Sequence, residues 1–296
     1  MPPSILFGCA SIGPKFTNLD SVQSLLSTLK SLNITHLDTA ARYGGGISET
    51  LLGEADASAK DFMLDSKILT LQNGEPELTK EKIEASTLTT LQRLKVQKLH
   101  TLYIHAPDPL TPLSETAQAM DAQFRAGRME ELGLSNFSAE LVEEYIAVCR
   151  EHGYVLPSVY QGQYNLLNRE AETTLFPLLR REGIGFLAYS PLASGFLTAK
   201  EEKKGNPIVG RLLGDLKVVE AVERFKITLE GFGMEATEAA LRWVVFHSGL
   251  GEGDAVTLGG SRESQVEDSV GIIERGPLDE RVVMAVEKVW EDVKDR

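Results

Sequence analysis

The sequence predicts a single (β/α)8 TIM barrel, an α/β fold in which eight parallel strands alternate with helices. Short apolar, β-branched runs alternate with longer helical patterns along the whole 296-residue chain, and there are eight such runs. The composition is that of a globular protein, with 42% hydrophobic and 25% charged residues. No change of composition or Ser/Gly-rich linker divides the chain. We therefore expect one barrel domain over residues 1–296.

The elements follow from the apolar runs and their boundary residues. Ser138 precedes a helical pattern as an N-cap would, and Gly153 follows the same pattern as a helix-ending glycine would. The alternative, an open doubly wound sheet, requires G-x-G-x-x-G after the first strand, and the glycines here fail that spacing. Strands are predicted at residues 5–10, 35–39, 62–69, 99–105, 131–135, 158–164, 185–189 and 255–258. Helices are predicted at 19–31, 47–57, 79–94, 113–126, 139–151, 169–181, 218–232 and 236–247, with two more after Ser261.

Charge and targeting signals narrow the class of protein. The 30 Lys and Arg residues against 43 Asp and Glu residues give a net charge of −13, so we expect no nucleic-acid or anionic-membrane partner. No apolar run approaches the roughly 20 residues of a membrane-spanning helix, and the first residues lack a signal-peptide pattern. The two cysteines, Cys9 and Cys149, form neither a disulfide framework nor a metal motif. We expect a cytoplasmic protein.

Polar or aromatic residues stand where seven of the eight predicted strands end. In a barrel of this kind the carboxyl ends of the strands form the active site, so these residues should meet at one mouth. A lone histidine or lysine at such a position more often has a structural role. The prediction of an active site therefore rests on all seven strand ends together. From the second strand to the eighth, the residues are Asp38 with Tyr43, Lys67, His105, Ser135 with Asn136, Gln161, Tyr189 with Ser190, and Gly259 with Ser261.

With these motifs the sequence resembles the aldo-keto reductase superfamily over nearly its whole length. Residues 38–44, DTAARYG, are similar to the family's D-T-A-x-x-Y-G signature, and residues 133–136, GLSN, to its G-[LVI]-S-N motif. Residues 159–165, VYQGQYN, and 190–198, SPLASGFLT, resemble the aflatoxin-aldehyde reductase branch most closely.

The resemblance implies a reductase that transfers hydride from NADPH to the carbonyl of aldehydes, and of some ketones. Tyr43 would be the proton donor, although a phenol with a pKa near 10 is a poor acid near neutrality. We expect the Lys67 ammonium, held by Asp38, to lower that pKa. His105 would orient the carbonyl, so Tyr43 and His105 would also contact the substrate. No metal is expected, because Tyr43 and His105 replace the Lewis acid.

The resemblance also implies the NADPH contacts. Ser135, Asn136 and Gln161 would bind the nicotinamide carboxamide, and Tyr189 would stack beneath its ring. Glycine and small residues after the seventh strand would let backbone amides approach the pyrophosphate. A helix N-terminus with a guanidinium would bind the 2′-phosphate. The remaining predicted cofactor residues are Asp38, Ser190, Pro191, Leu192, Ser194, Gly195, Lys200, Arg211, Gly259, Ser261, Arg262, Gln265, Asp268 and Ser269.

The sequence departs from the family pattern in three respects: two cofactor positions, one internal segment and the C-terminal end. Gly260 stands where many relatives have lysine, and Ser269 stands where they have asparagine. The segment between Arg211 and Val218 is shorter than in the aflatoxin-aldehyde branch, and the chain stops at Arg296 without the tail that closes the pocket in relatives. We expect from this an open pocket that accepts bulky or aromatic aldehydes.

Two other functions remain open from the sequence. One is a cofactor-binding, redox-sensing regulatory subunit resembling the potassium-channel β-subunits, which keep the barrel and the same four catalytic residues. The other is an unrelated barrel lyase or isomerase that binds no nicotinamide. The resemblance also leaves room for a homodimer, because relatives include monomers, dimers and larger rings.

Overall fold

The computed structural model is a closed barrel of eight parallel strands, as predicted. The structure describes residues 1–71, 73–197 and 207–295, without the side chains of 207 and 208. Each strand pairs with the next, and β1 closes the barrel on β8 through four register pairs, from Ser4 with Ala255 to Phe7 with Leu258. The strands are β1 Ser4–Gly8, β2 His36–Asp38, β3 Met63–Lys67, β4 Leu99–Ile104, β5 Met129–Ser135, β6 Val159–Gln163, β7 Gly185–Tyr189 and β8 Ala255–Leu258.

The helices surround the barrel and begin and end near their predicted residues. Ser138 caps its helix by accepting from the Leu141 amide, and Gly153 ends the helix with a left-handed φ of 66°. The helices are α1 Leu19–Ser31, α2 Ile47–Glu54, α3 Lys80–Leu94, α4 Leu113–Arg125, α5 Ala139–His152, α6 Leu175–Glu182, α7 Pro207–Leu213, α8 Leu216–Glu230, α9 Ala236–Phe246, α10 Glu263–Ile273 and α11 Glu280–Val293.

Three helix predictions need correction. The helix predicted at 169–181 starts only at Leu175, because Arg169 turns back to Glu172 and the residues between form a separate 3-10 turn. The helix predicted from 218 starts at Leu216, because Asp215 caps the Lys217 and Val218 amides. The seven-residue α7 was not predicted, since so short a segment shows little periodicity.

Two apolar layers hold the barrel together. The larger lies between the strands and the helices and includes Trp243, which is fully buried. The smaller lies inside the barrel, where Leu6, Tyr103 and Leu187 pack together. Tyr103 fits there because Gly133 on β5 has no side chain, and a Cβ at that position would lie 2.2 Å from the tyrosine ring. The barrel interior is therefore packed with side chains, and ligands must bind at its ends.

None of the helices in the described part of the chain has both the length and the apolar character needed to cross a membrane.

Candidate active site

Asp38 and Lys67 form a buried ion pair at the carboxyl ends of β2 and β3. Lys67 Nζ donates to Asp38 Oδ1 at 2.6 Å and to the Thr39 carbonyl at 2.8 Å, and the lysine side chain is fully buried. Burial alone would lower the pKa of the Lys67 ammonium, but the charge and hydrogen bond of Asp38, together with Tyr43 and Asp65, hold the pKa above its ordinary value. The structure thus keeps a cation inside the mouth of the barrel.

Tyr43 lies on the turn after β2, beside this cation. Lys67 Nζ is 5.2 Å from the centroid of the Tyr43 ring, and the Tyr43 and His105 rings meet edge to face at 6.0 Å. The turn requires glycine, because Gly44, Gly45 and Gly46 all have left-handed φ angles, from 58° to 93°. The tight turn places the tyrosine over the mouth.

The pKa of Tyr43 differs from the expectation. Burial raises it above the ordinary value, and Lys67, although it acts in the opposite direction, does not compensate for that burial. The expectation that Lys67 lowers the phenol pKa below 10 is therefore wrong for the protein alone, since desolvation of the phenolate costs more than the ion contributes.

His105 is a neutral imidazole at the end of β4. Burial, with Lys67 and Arg42 nearby, lowers its pKa to about 3. Its Nδ1 atom is buried and has no hydrogen-bond partner among the described residues. A neutral histidine can donate a hydrogen bond to a carbonyl oxygen across the whole range of physiological pH.

A buried polar network joins α2 to β3 and α3 beside the mouth of the barrel, and it was not predicted from the sequence. Glu49 is fully buried and accepts hydrogen bonds from Ser66 at 2.7 Å and Thr90 at 2.8 Å, and it pairs with Arg93 at 3.2 Å. The pattern of a carboxylate six residues after Tyr43 is visible in the sequence, but its partners come from β3 and α3, which only the fold brings together.

The residues predicted to hold the nicotinamide carboxamide lie at the ends of β5 and β6 and bind one another or the ion pair. Asn136 donates to the His105 carbonyl at 2.9 Å and accepts from the Tyr189 hydroxyl at 2.9 Å. Gln161 donates to Asp38 Oδ1 at 2.9 Å. Gln161 thus binds the ion pair, and Asn136 connects His105 to Tyr189. Ser135 is also buried there and accepts from Asn136 at 3.1 Å.

The segment after β7 has backbone that favours anion binding. Ser190, Ala193 and Ser194 all have left-handed φ angles, between 49° and 57°, and a short 3-10 turn covers Ala193–Gly195. Successive amides in such turns form concave donor groups that bind phosphate. Ser190 Oγ lies 3.2 Å from Ser194 Oγ. The same segment contains Pro191, Leu192 and Gly195, whereas Lys200 lies outside the described residues.

The predicted 2′-phosphate site is the start of α10, after β8. Arg262 is the N-cap residue of this helix and is exposed. The Gln265 side chain accepts from the amide of Ser261 at 2.8 Å and from its hydroxyl at 2.9 Å. The Ser269 hydroxyl is bonded to its own helix, at the Gln265 carbonyl. Gly259 and Asp268 are exposed nearby on the same segment, and Arg211 on α7 lines a cavity of about 530 Å3 together with Asn136 and Tyr189.

A buried Asp–Lys pair, a tyrosine and a neutral histidine thus lie together at one mouth of a closed barrel. The chain belongs to the aldo/keto reductase family, whose model matches residues 4–291, and this places it among the oxidoreductases that reduce carbonyl groups.

Curated relatives support the same class along most of the chain. Oxidoreductase sirO of Leptosphaeria maculans is 35% identical over 316 residues, which cover 99% of this chain and 95% of the relative. Aflatoxin B1 aldehyde reductase member 2 of Homo sapiens is 38% identical over 279 residues, covering 86% of this chain and 78% of the relative. Aldo-keto reductase family 7 member A3 of Homo sapiens is 35% identical, with 97% and 94% covered.

Proposed function

We propose that the protein reduces aldehydes with NADPH and that Tyr43 donates the proton. The observation that carries the proposal is the buried Lys67, which lies next to the Tyr43 ring and is charged because Asp38 is its partner. The names of the human relatives, which include an aflatoxin B1 aldehyde reductase, favour an aldehyde as substrate.

The residues present fit a nicotinamide dinucleotide. Amide donors and acceptors at Asn136 and Gln161 suit a carboxamide, and the left-handed turn at Ser190–Ser194 suits a pyrophosphate. The exposed Arg262 at a helix N-terminus suits a further phosphate, which favours NADPH over NADH. When bound, the cofactor supplies the hydride.

The chain's own residues then handle the proton and the developing charge. His105, neutral over the working pH range, donates a hydrogen bond that holds the carbonyl oxygen. Tyr43 transfers its phenolic proton to the same oxygen as negative charge develops there, and Lys67 stabilises the phenolate that remains. Because burial raises the pKa of free Tyr43, we expect the proton to move only when the oxygen is becoming an alkoxide.

The test measures oxidation of NADPH, with NADH in parallel, across aromatic, aliphatic and carboxylated aldehydes. We expect turnover that prefers NADPH and bulky or aromatic aldehydes. Tyr43→Phe removes the acid but keeps the ring, so kcat should fall by about 10²–10⁴-fold while quenching of protein fluorescence by NADPH is retained.

Tyr154→Phe is the matched control, since Tyr154 stacks on His152 away from the mouth. Equal activity of Tyr43→Phe and the control would contradict the proton-donor role. NADPH binding by the unmodified protein without turnover of any aldehyde would instead indicate the regulatory function, and no binding would overturn the cofactor proposal.

A further inference from the structure

A second polar cluster lies at the opposite end of the barrel from Tyr43. His36 is the first residue of β2, Asp65 lies in the middle of β3, and His100 is the second residue of β4. The fold brings His36 to His100 through Asp65. The two imidazole rings are 4.9 Å apart and nearly perpendicular.

The ligand atoms of these three side chains converge. His36 Nε2 lies 2.8 Å from Asp65 Oδ2, His100 Nδ1 lies 3.2 Å from Asp65 Oδ1, and the three groups offer ligand atoms that all lie within 4.8 Å of one another. Ligand atoms on a tetrahedral zinc ion lie about 3.3 Å apart, for bond lengths of about 2.0–2.1 Å. Small side-chain rotations therefore suffice to place all three on one ion.

Asp65 lies at the centre of the cluster and contacts both histidines. Its Oδ2 atom lies 2.8 Å from His36 Nε2, and both atoms are buried. Its Oδ1 atom accepts a hydrogen bond from the Thr101 amide at 3.0 Å and lies 3.2 Å from His100 Nδ1. The Thr101 amide thus fixes the carboxylate while each of its oxygens faces one histidine. A divalent ion bound by the three groups would take the place of the protons that the histidines share with the carboxylate, because metal binding releases protons from its ligands.

An ion can reach this cluster from solvent. The side chains of His36 and His100 are 17% and 26% exposed, whereas that of Asp65 is 1% exposed. His36 also lines a cavity of about 440 Å3 at the amino ends of the first three strands, together with Met63 and Asn33. The site therefore has a closed side, formed by the carboxylate, and an open side for water ligands.

We propose that His36, Asp65 and His100 bind one divalent transition-metal ion of the Zn²⁺ or Co²⁺ class. Two imidazoles and one carboxylate match the borderline ions and not Mg²⁺ or Ca²⁺, which prefer oxygen ligands throughout. The negative charge of Asp65 balances part of the charge of the ion, and the Thr101 amide orients the carboxylate from the second coordination sphere. The site is separate from the groups proposed to reduce the carbonyl, because His36 and His100 lie toward the amino ends of β2 and β4. Asp65, however, pairs in register with Asp38, and its charge acts on Asp38 and Lys67.

The experiment uses the full chain without a polyhistidine tag, stripped with a chelator and titrated with Co²⁺ while the visible absorption of the bound ion is recorded. We expect one Co²⁺ per chain, displaced by one equivalent of Zn²⁺, and a higher Tm with Zn²⁺ than without it. His36→Gln and His100→Gln should each lower the affinity at least about 100-fold, since each removes a ligand.

His152→Gln is the matched control, because His152 is exposed at the end of α5 and bonds only locally. Circular dichroism checks that all variants fold. The proposal is overturned if the unmodified chain binds no Co²⁺, or if both folded ligand variants bind it as tightly as the control. Loss of binding in either folded ligand variant, with the control unaffected, supports it. NADPH turnover is measured separately, so failure of this site and failure of the proposed reductase function are distinguishable.

Discussion

Strands β2, β3 and β4 carry a polar triad at each end of the barrel, and the two triads have opposite charge patterns. At the carboxyl end the middle strand supplies the cation Lys67, flanked by the anion Asp38 and the neutral His105. Toward the amino end the middle strand supplies the anion Asp65, flanked by two histidines. Asp65 and Lys67 are separated on β3 only by Ser66, and Asp65 pairs in register with Asp38, so the two triads adjoin each other.

The comparison shows which partners each buried charged side chain has. Lys67 and Asp65 are both fully buried, and a buried charge is tolerated only with a counter-charge or a ligand. Lys67 has a counter-charge in Asp38 and donates a second hydrogen bond to the Thr39 carbonyl, so two of its three N–H groups are bonded within the protein. Asp65 is paired with two histidines instead, whose ring nitrogens can bind either a proton or a metal ion. The carboxyl-end triad is therefore preorganised, and the amino-end triad is suited to a ligand.

The strongest test of this comparison is Lys67→Met. It removes the cation beside Tyr43, so we expect kcat/KM to fall by about 10³-fold or more. It also leaves Asp38 buried without its counter-charge, which should lower the free energy of unfolding by about 3–5 kcal/mol. Steady-state kinetics and urea unfolding measure the two effects.

Lys98→Met is the matched control for that variant. Lys98 pairs with Glu130 at 2.7 Å, but both side chains are about half exposed, so a far smaller change is expected in both quantities. Similar losses in the two variants would show that burial is not what distinguishes the ion pair at the mouth.

A smaller effect is expected from Asp65→Asn, measured with a chelator present. Burial alone would raise the pKa of Asp65, but the two adjacent histidines hold it below its ordinary value, so the native carboxylate is charged. Its replacement by a neutral amide should lower the free energy of unfolding in urea by about 2–3 kcal/mol and change kcat/KM much less than Lys67→Met.

Asp61→Asn provides the comparison for Asp65→Asn, because Asp61 stands just before β3 and its side chain is 94% exposed. If Asp65→Asn is as stable as Asp61→Asn, the amino-end carboxylate contributes nothing to folding and the contrast between the two ends fails.

The smallest predicted effect is the contribution of His105 to the pH dependence of the free energy of unfolding. Its pKa is about 3 in the folded protein and about 6.5 in an unfolded chain, so between these values only the unfolded state takes up the proton. Stability must then decrease as the pH falls. Between about pH 7 and pH 5 this one group should cost about 2 kcal/mol.

His105→Asn should remove that contribution, so urea unfolding at the two pH values should show a smaller acid-induced loss than in the unmodified protein. Equal losses would mean that His105 is not buried as a neutral imidazole. His152→Asn is the control. His152 is exposed, so this substitution should leave the acid-induced loss of stability unchanged.

The sequence by itself determined the fold and the composition of the mouth. Eight apolar runs alternating with helical patterns are sufficient to predict the barrel. Parallel strands need crossover helices between them, and eight such strands close into a barrel. The same alternation places residues that follow consecutive strands at one end, so Asp38, Lys67 and His105 could be grouped before any contact was known. Local signals such as Ser138 and Gly153 also determined helix ends, since capping involves only neighbouring residues.

Only the tertiary structure decided how these groups are charged and what lies beneath them. The pKa of Tyr43 depends on the balance between burial and the Lys67 charge, and sequence spacing reports neither. Glu49 with its partners from β3 and α3, and Asp65 between His36 and His100, join side chains that are far apart in the chain. Desolvation and hydrogen bonding act over a few ångströms in space, so they are decided by strand register and packing and not by the order of residues.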